Sequence, residues 1–440
     1  MAAPDTGAAR PGYGLAGLIV ARPFEVPAVI GGFLLFFLLF TSYFMLRPVR
    51  ETFGIAGGVD NLQWLFTGTF LSTLLVVPVY GWAASRLPRR RLLPVLYAVS
   101  AAVMAGFATS LALDPGNIWV ARAFYIWLSV FNLFVISVAW SLMADLFERD
   151  QGHRLFGQIA AGASLGGLAG PLLSGLLVAP LGEAGLLFLS TGLLLLTLLC
   201  VRYLIDWRDR AGPKRDIHPG TPVTDRIGGS VWAGISLIVR SPYLLAIAGF
   251  VLLLTIANTF LYFEQARIVE ATFPDRTRQT QVFAAIDAAV QSVTILIQIF
   301  LTGRLAKRLG VTVLLVAVPV TMMFGFGLLA LAATFPVLLF VMMVRRIGEY
   351  ALVRPGREML FTAVDTETRY KAKNAIDTFV YRGGDALAGW VYTGIAAMAS
   401  TAAVAIAGAV LAGLWGAIAS LGLRVARWRH PDAGSASRAG

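Results

Sequence analysis

Cysteine and histidine are almost absent from this chain of 440 residues: there is one cysteine, Cys200, and there are three histidines, His153, His218 and His430. A single cysteine cannot build a disulfide framework. Without clustered Cys and His there is no zinc-ligand spacing and no ordinary histidine acid–base site. Charge is also scarce, at 14% of residues against 58% hydrophobic, which is too little to cover a water-exposed globule. No G-x-x-x-x-G-K-S/T run is present, so ATP hydrolysis on a P-loop is excluded. No nucleophile, base and orienting group form a recognisable set, so neither an enzyme nor a resident cofactor or metal is expected. The N-terminus lacks a basic segment, short apolar core and small-residue cleavage site, and no cleaved leader is expected.

What the chain does have is long apolar runs. Ten candidate spans read directly from the sequence, near 26–46, 61–84, 92–113, 118–146, 155–178, 184–205, 243–266, 281–303, 311–333 and 401–423. Two more, near 336–364 and 374–399, are interrupted by charge. Runs approaching 20 residues, without the alternation of barrel strands, can satisfy their backbone in hydrocarbon only as helices. The fold class expected is an all-α membrane protein of about twelve helices in two pseudo-symmetric six-helix halves. The net charge of +12 follows the same topology. Basic residues follow the second, sixth, eighth and twelfth spans: Arg86 to Arg91, Arg208 to Arg215, Arg304 to Arg308, and Arg424 to Arg429. All fall on one side if both termini are cytoplasmic, so the positive-inside rule explains the charge without nucleic acid. A multi-pass protein of the bacterial inner membrane, working as a monomer in lipid, is expected.

The only long polar stretch inside the chain, Asp206–Ser230, divides it after the sixth span, and Trp232–Val239 reads as a short amphipathic helix. The expected organisation is residues 1–205 as one half, 206–240 as a cytoplasmic linker, 241–423 as the second half and 424–440 as a tail. Internal echoes support the duplication. Gly81-Trp-Ala-Ala-Ser85-Arg86-Leu-Pro88-Arg89-Arg90 faces Gly303-Arg-Leu-Ala-Lys307-Arg308-Leu-Gly310 at an offset of 222, and Asp145 faces Asp365 at 220. These glycine-plus-charged-turn segments resemble the loop motif of the major facilitator superfamily, with Ser85 and Lys307 where that motif carries aspartate. Duplicated halves around a midplane cavity are a secondary-transporter architecture.

Charges inside spans carry the functional reading, because each costs a few kcal/mol in hydrocarbon unless used. The run Leu46-Arg47-Pro48-Val49-Arg50-Glu51 ends the first span, and Val353-Arg354-Pro355-Gly356-Arg357-Glu358 lies in the tenth. Arginines three apart share a helix face, and their guanidinium forks match phosphate oxygens. The intervening proline is expected to start a half-helix facing the same anion. Substrate-site candidates are Arg47, Arg50, Arg354, Arg357, Arg346, Glu349, Arg122, Asn132 and Tyr262. Asp287, Glu264 and Asp377 are candidates for a coupling ion, Asp287 because it lacks a local partner. Glu264, Glu349 and Asp385 are expected to be held by Arg267, Arg346 and Arg382. Arg86, Arg89, Asp145, Arg308 and Asp365 are candidates for a cytoplasmic gate.

With these residues in place the chain resembles the nucleotide transporter family, the ATP/ADP translocases and their bacterial relatives. The most specific stretch is Arg354-Pro-Gly-Arg357-Glu358 through Asp365-Thr-Glu367-Thr-Arg369-Tyr-Lys371-Ala-Lys373-Asn374-Ala-Ile-Asp377. Leu46–Glu51 and Thr259–Arg267 add weaker matches. The resemblance implies that Arg50 and Arg357 stand at two lysine positions important for transport, and that two acidic positions fall on Ser129 and Tyr262. It implies a small anionic substrate, a nucleotide or another organic phosphate. A facilitator-type carrier of an unrelated organic anion or drug, and a non-transporting regulatory or lipid-handling membrane protein, remain the alternatives.

Overall fold

A computed structural model describes residues 21–86, 89–147, 149–211, 231–361 and 364–429. The protein is all-α. Helices α1 (Val26–Ala56), α2 (Leu62–Arg86), α3 (Arg89–Leu113), α4 (Ile118–Leu146) and α5 (Arg149–Ala211) make the first part. The short α6 (Val231–Arg240) leads into α7 (Pro242–Thr272), α8 (Arg276–Ile297) and α9 (Gly303–Leu331). The tenth span is α10 (Phe335–Gly348), a π turn at Glu349–Val353, and α11 (Arg354–Phe361). The eleventh is α12 (Thr366–Ala375), a π turn at Ile376–Val380, and α13 (Tyr381–Met398), and α14 (Thr401–Arg429) is last.

Nine stretches among the described residues are long and apolar enough to cross a membrane. One of them, Arg154–Arg210, has 57 residues, about twice a bilayer, and reverses at Gly182, whose φ of 67° suits glycine. Two passes there, plus the two charge-interrupted segments, bring the number to twelve. The structure moves some expected boundaries. The basic turn at Arg304 to Arg308 is helical backbone at the start of α9, and the eleventh span begins at Thr366, because Asp365 caps it by accepting from the Thr368 N–H at 2.9 Å. Other starts are fixed in the same way: Asn117 caps α4, Ser241 precedes Pro242 at the start of α7, and Asp275 caps α8.

Two apolar clusters form the core. One is built from α1, α3, α4 and α5, the other mainly from α7 to α14. In the first, α5 lies almost backbone to backbone on α1. A Cβ on Gly162 would strike the Phe33 carbonyl, one on Gly166 the Phe37 carbonyl, and one on Gly170 would lie 2.7 Å from the Met45 nitrogen. Glycines four apart make one smooth face, which in lipid allows dispersion and weak backbone contacts to hold two helices.

The start of α1 is pinned by Glu25, which is fully buried. It accepts from the Arg22 backbone N–H at 2.8 Å and from Gln151 and Arg154 at 3.0 Å each. Burial pushes the carboxyl up, but these three donors outweigh it and hold it below the ordinary carboxylate range. The pinning is therefore complete above the unfolded-state value and is lost as pH falls through the folded-state value. Glu25→Gln should flatten the acid limb of the stability curve, read as melting temperature against pH. An unchanged acid limb would remove Glu25 from the account.

Contacts between the segment up to α4 and the helices α7 to α14 gather where α1 ends. Thr52 and Thr280 hydroxyls lie 2.8 Å apart, the Trp64 and Trp390 rings meet edge to face at 4.7 Å, and Arg276 donates to the Pro115 carbonyl at 3.0 Å. In a Cys200→Ser background, oxidising a Thr52→Cys/Thr280→Cys pair should lower uptake about tenfold or more, with recovery in dithiothreitol, because the disulfide would bar separation at this end. Full uptake by the cross-linked protein would show that the two segments need not part.

Candidate functional site

Two polar networks lie between α1 and the second cluster. In the first, Arg346 binds the Asp287 carboxylate at 2.5 Å, and Arg47 approaches its other oxygen at 3.7 Å. Arg47 also donates to the Tyr350 hydroxyl at 3.2 Å, and Arg354 stacks on the same ring at 4.5 Å. Arg345 pairs with Glu349 at 2.9 Å and donates to the Asn258 side-chain oxygen. Arg354 reaches Glu349 at 3.8 Å. The π turn at Glu349–Val353 inserts an extra residue into the helix, so Arg345, Arg346, Glu349 and Tyr350 all take part in one network. Asp287 is only 3% exposed, and Arg346 and Glu349 are also buried.

The count within this network is four arginines (47, 345, 346, 354) against two carboxylates (287, 349). After the pairing, Arg345 Nε and Arg346 Nε remain buried with no acceptor, and Asp287 Oδ2 with no donor. Buried guanidinium N–H groups normally find acceptors, and these two find none among the described residues.

The second network is smaller. Arg50 pairs with Glu51 at 2.6 Å, donates to Ser129 at 3.2 Å and stands over the Tyr125 ring at 5.0 Å. Tyr125 in turn donates to the Tyr262 hydroxyl at 3.0 Å, joining α4 to α7. Arg50 Nε has no acceptor.

The remaining candidates are placed differently. Arg357 pairs with Asp377 at 3.3 Å, and Glu358 with Lys373 at 2.6 Å. Arg122 is turned onto the end of α1, donating to the Gly57 carbonyl at 2.6 and 3.2 Å, where it caps a helix. Glu264 accepts from the Tyr392 hydroxyl at 2.7 Å, while Arg267 reaches the same hydroxyl rather than the carboxylate in a hydrogen bond at 3.4 Å. Arg382 and Asp385 pair at 3.8 Å, and Thr259 donates to Asp385 at 3.0 Å. Asn132 is half-buried, its side-chain oxygen without a partner. Of the gate candidates, Arg86 stacks on Trp82 at 4.9 Å, Asp145 is half-buried and Asp365 is the cap of α12. The side chains of Arg89 and Arg308 lie outside the described residues.

Several expectations are corrected by this geometry. Pro48 and Pro355 start no half-helix pointing at an anion: α1 runs unbroken past Pro48, where the Thr52 hydroxyl bonds the Pro48 carbonyl at 3.2 Å, and Pro355 continues the helical tenth span. Only one member of each R-P-x-R pair meets the other pair: Arg47 and Arg354 both engage Tyr350, whereas Arg50 pairs with Glu51 and Arg357 with Asp377. Asp287 finds its ion-pair partners on other helices, Arg47 on α1 and Arg346 on α10, rather than on its own. Glu349 is held by Arg345 rather than Arg346.

Tyr350, Asn258 and Tyr125 are the site residues that the sequence reading missed. Asn258 was the one with a signal, a carboxamide in the middle of an apolar span.

The sequence matches the Major Facilitator Superfamily over residues 28–350. The chain belongs to that superfamily. It is a multi-pass membrane protein of a transporter family, and secondary transport of a small molecule is its general activity. It is 22% identical over 429 residues to "ADP,ATP carrier protein 1" of Chlamydia muridarum (strain MoPn / Nigg), covering 82% of this chain and 80% of that one. Its fold is similar to that of a bacterial homologue of the iron transporter ferroportin in an inward-facing state, with a TM-score of 0.65 and 14% identity, over 90% of this chain and 98% of that one. It is also similar to the nucleoside transporter NupG, with a TM-score of 0.59 and 13% identity, over 91% and 99% of the two chains.

Proposed function

We propose that this facilitator carries a phosphorylated organic anion, a nucleotide in the first instance, by alternating access of two six-helix halves, residues 1–205 and 241–423. The observation that carries the reading is the excess of four arginines over two carboxylates between α1 and the tenth span, with two buried guanidinium N–H groups lacking acceptors. Guanidinium forks from two helices match an anion with several oxygens on adjacent phosphoryl groups better than a single carboxylate. The likeness to a protein named as an ADP,ATP carrier supports a nucleotide as the substrate. Transport is expected at the bacterial inner membrane with both termini in the cytoplasm, on the positive-inside argument. In that orientation the contacts at the end of α1 would lie on the outer side.

The test is a thermal-shift and proteoliposome panel. Nucleoside di- and triphosphates and inorganic pyrophosphate should raise the melting temperature of the detergent-purified protein and compete for labelled nucleotide uptake, while neutral nucleosides should not. Equal stabilisation by nucleosides, or none by any phosphate compound, would replace this reading with a carrier of a non-phosphorylated substrate.

A further inference from the structure

We propose that Asp287 is a tethered counter-anion, a carboxylate that occupies the arginine site of the empty carrier and must be displaced from Arg47 by the substrate. The inference rests on the reading of this cluster as an anion site and deepens it. Its starting point is the asymmetry of the carboxylate. One oxygen has a full charged bond to Arg346, while the other lies 3.7 Å from Arg47 Nε and has no hydrogen-bond donor. Asp287 is therefore anchored to Arg346 and only electrostatically associated with Arg47.

The helices concerned give this association its meaning. Arg47 is on α1 in the first cluster, whereas Asp287, Arg346 and Tyr350 are on α8, α10 and the π turn that follows α10. The link from Arg47 to Asp287 and Tyr350 thus crosses the interface that has to open and close. The charged and titratable groups around the carboxylate are Arg47 and Glu51 on α1, Arg345 and Arg346 on α10, and Glu349 and Tyr350 in the π turn. A substrate oxygen that reached Arg47 would replace the weakest partner in this set and take over the link between the halves. With no substrate, Asp287 neutralises Arg47 and allows the empty carrier to move between its two states. Without the carboxylate, Arg47 and Arg346 would need an external anion at every step, and the empty carrier would be held back by uncompensated buried charge.

An intramolecular competitor acts at high effective concentration, so its removal should appear as tighter binding. Asp287→Asn should bind inorganic pyrophosphate and ATP about tenfold more tightly than wild type in titration calorimetry. In proteoliposomes it should keep exchange against internal ATP and lose net uptake into empty vesicles by about tenfold or more. Asp287→Glu, which keeps the carboxylate and guards against misfolding of the asparagine variant, should bind no more tightly than wild type. If wild type binds pyrophosphate and folded Asp287→Asn binds it equally or more weakly, the counter-anion idea is overturned while the anion site stands. Tighter binding by Asp287→Glu would overturn it as well. If neither wild type nor Asp287→Asn binds any phosphate compound, the anion site itself is wrong and the inference falls with it.

Discussion

Arg346→Ala should abolish nucleotide uptake, by at least about 100-fold, and should also lower the melting temperature of the purified protein. Two effects are combined in that substitution. Its guanidinium makes the 2.5 Å bond to Asp287, and removing it strands a carboxylate that is 3% exposed, with only Arg47 at 3.7 Å to balance it. Breaking a buried pair from one side costs about 3–5 kcal/mol. The second effect is the loss of the arginine that the proposed substrate needs. The double variant Arg346→Ala/Asp287→Asn separates the two, because it removes the stranded charge but restores no anion contact. It should regain most of the thermal stability and none of the uptake. Uptake by Arg346→Ala within about twofold of wild type would place the anion site elsewhere, since a charge-assisted contact to a desolvated anion is worth more than that.

The other large effect is expected far from the arginines. Gly166→Leu should prevent the first half from assembling, giving aggregated protein on size exclusion in detergent. A Cβ at this position already collides with the Phe37 carbonyl and comes within 3.0 Å of the Phe40 Cβ and the Thr41 nitrogen. Backbone atoms of a buried helix cannot swing aside as the tip of a side chain can. Overpacking a core costs about 1–3 kcal/mol even where neighbours can move. Here α5 would have to withdraw along its whole contact with α1, and the placement of Arg47 and Arg50 on α1 depends on that contact. Gly192→Leu, on the second pass of α5 beyond Gly182 and with nothing within 4 Å of its Cβ, is the control and should purify normally. Normal behaviour of both variants would mean that α1 and α5 are less closely packed than described.

How much of the site can be read in advance follows from the range of the interactions. Arg346, Glu349 and Asp287 are visible in the sequence because each interrupts an apolar run, and a charge in a span needs a reason. Local pairing can be anticipated only within one helix turn, where Arg382 with Asp385 is found as expected. Where two partners compete within one turn, spacing does not decide: Glu349 takes Arg345 four residues back, not Arg346 three back. The π turn at Glu349–Val353 leaves no simple periodic signature, and it lies in the stretch that joins Tyr350 to Arg47 on one side and to Arg354 on the other. The similarity of the two R-P-x-R runs is only partly informative: their first arginines, Arg47 and Arg354, share Tyr350, while Arg50 and Arg357 pair separately with Glu51 and Asp377.

The sequence alone determined that the chain is an all-α membrane bundle and which charges lie within its spans, because lipid solvation acts on each segment separately and hydropathy records it. Tertiary structure alone decided which of those charges meet. Arg47 faces Asp287 and Arg346 because glycine faces let α5 seat α1, and because α8 and α10 present their polar residues to the same gap. Such pairings join residues more than 50 positions apart, and their energy depends on distance and burial, neither of which is encoded in the local order of residues.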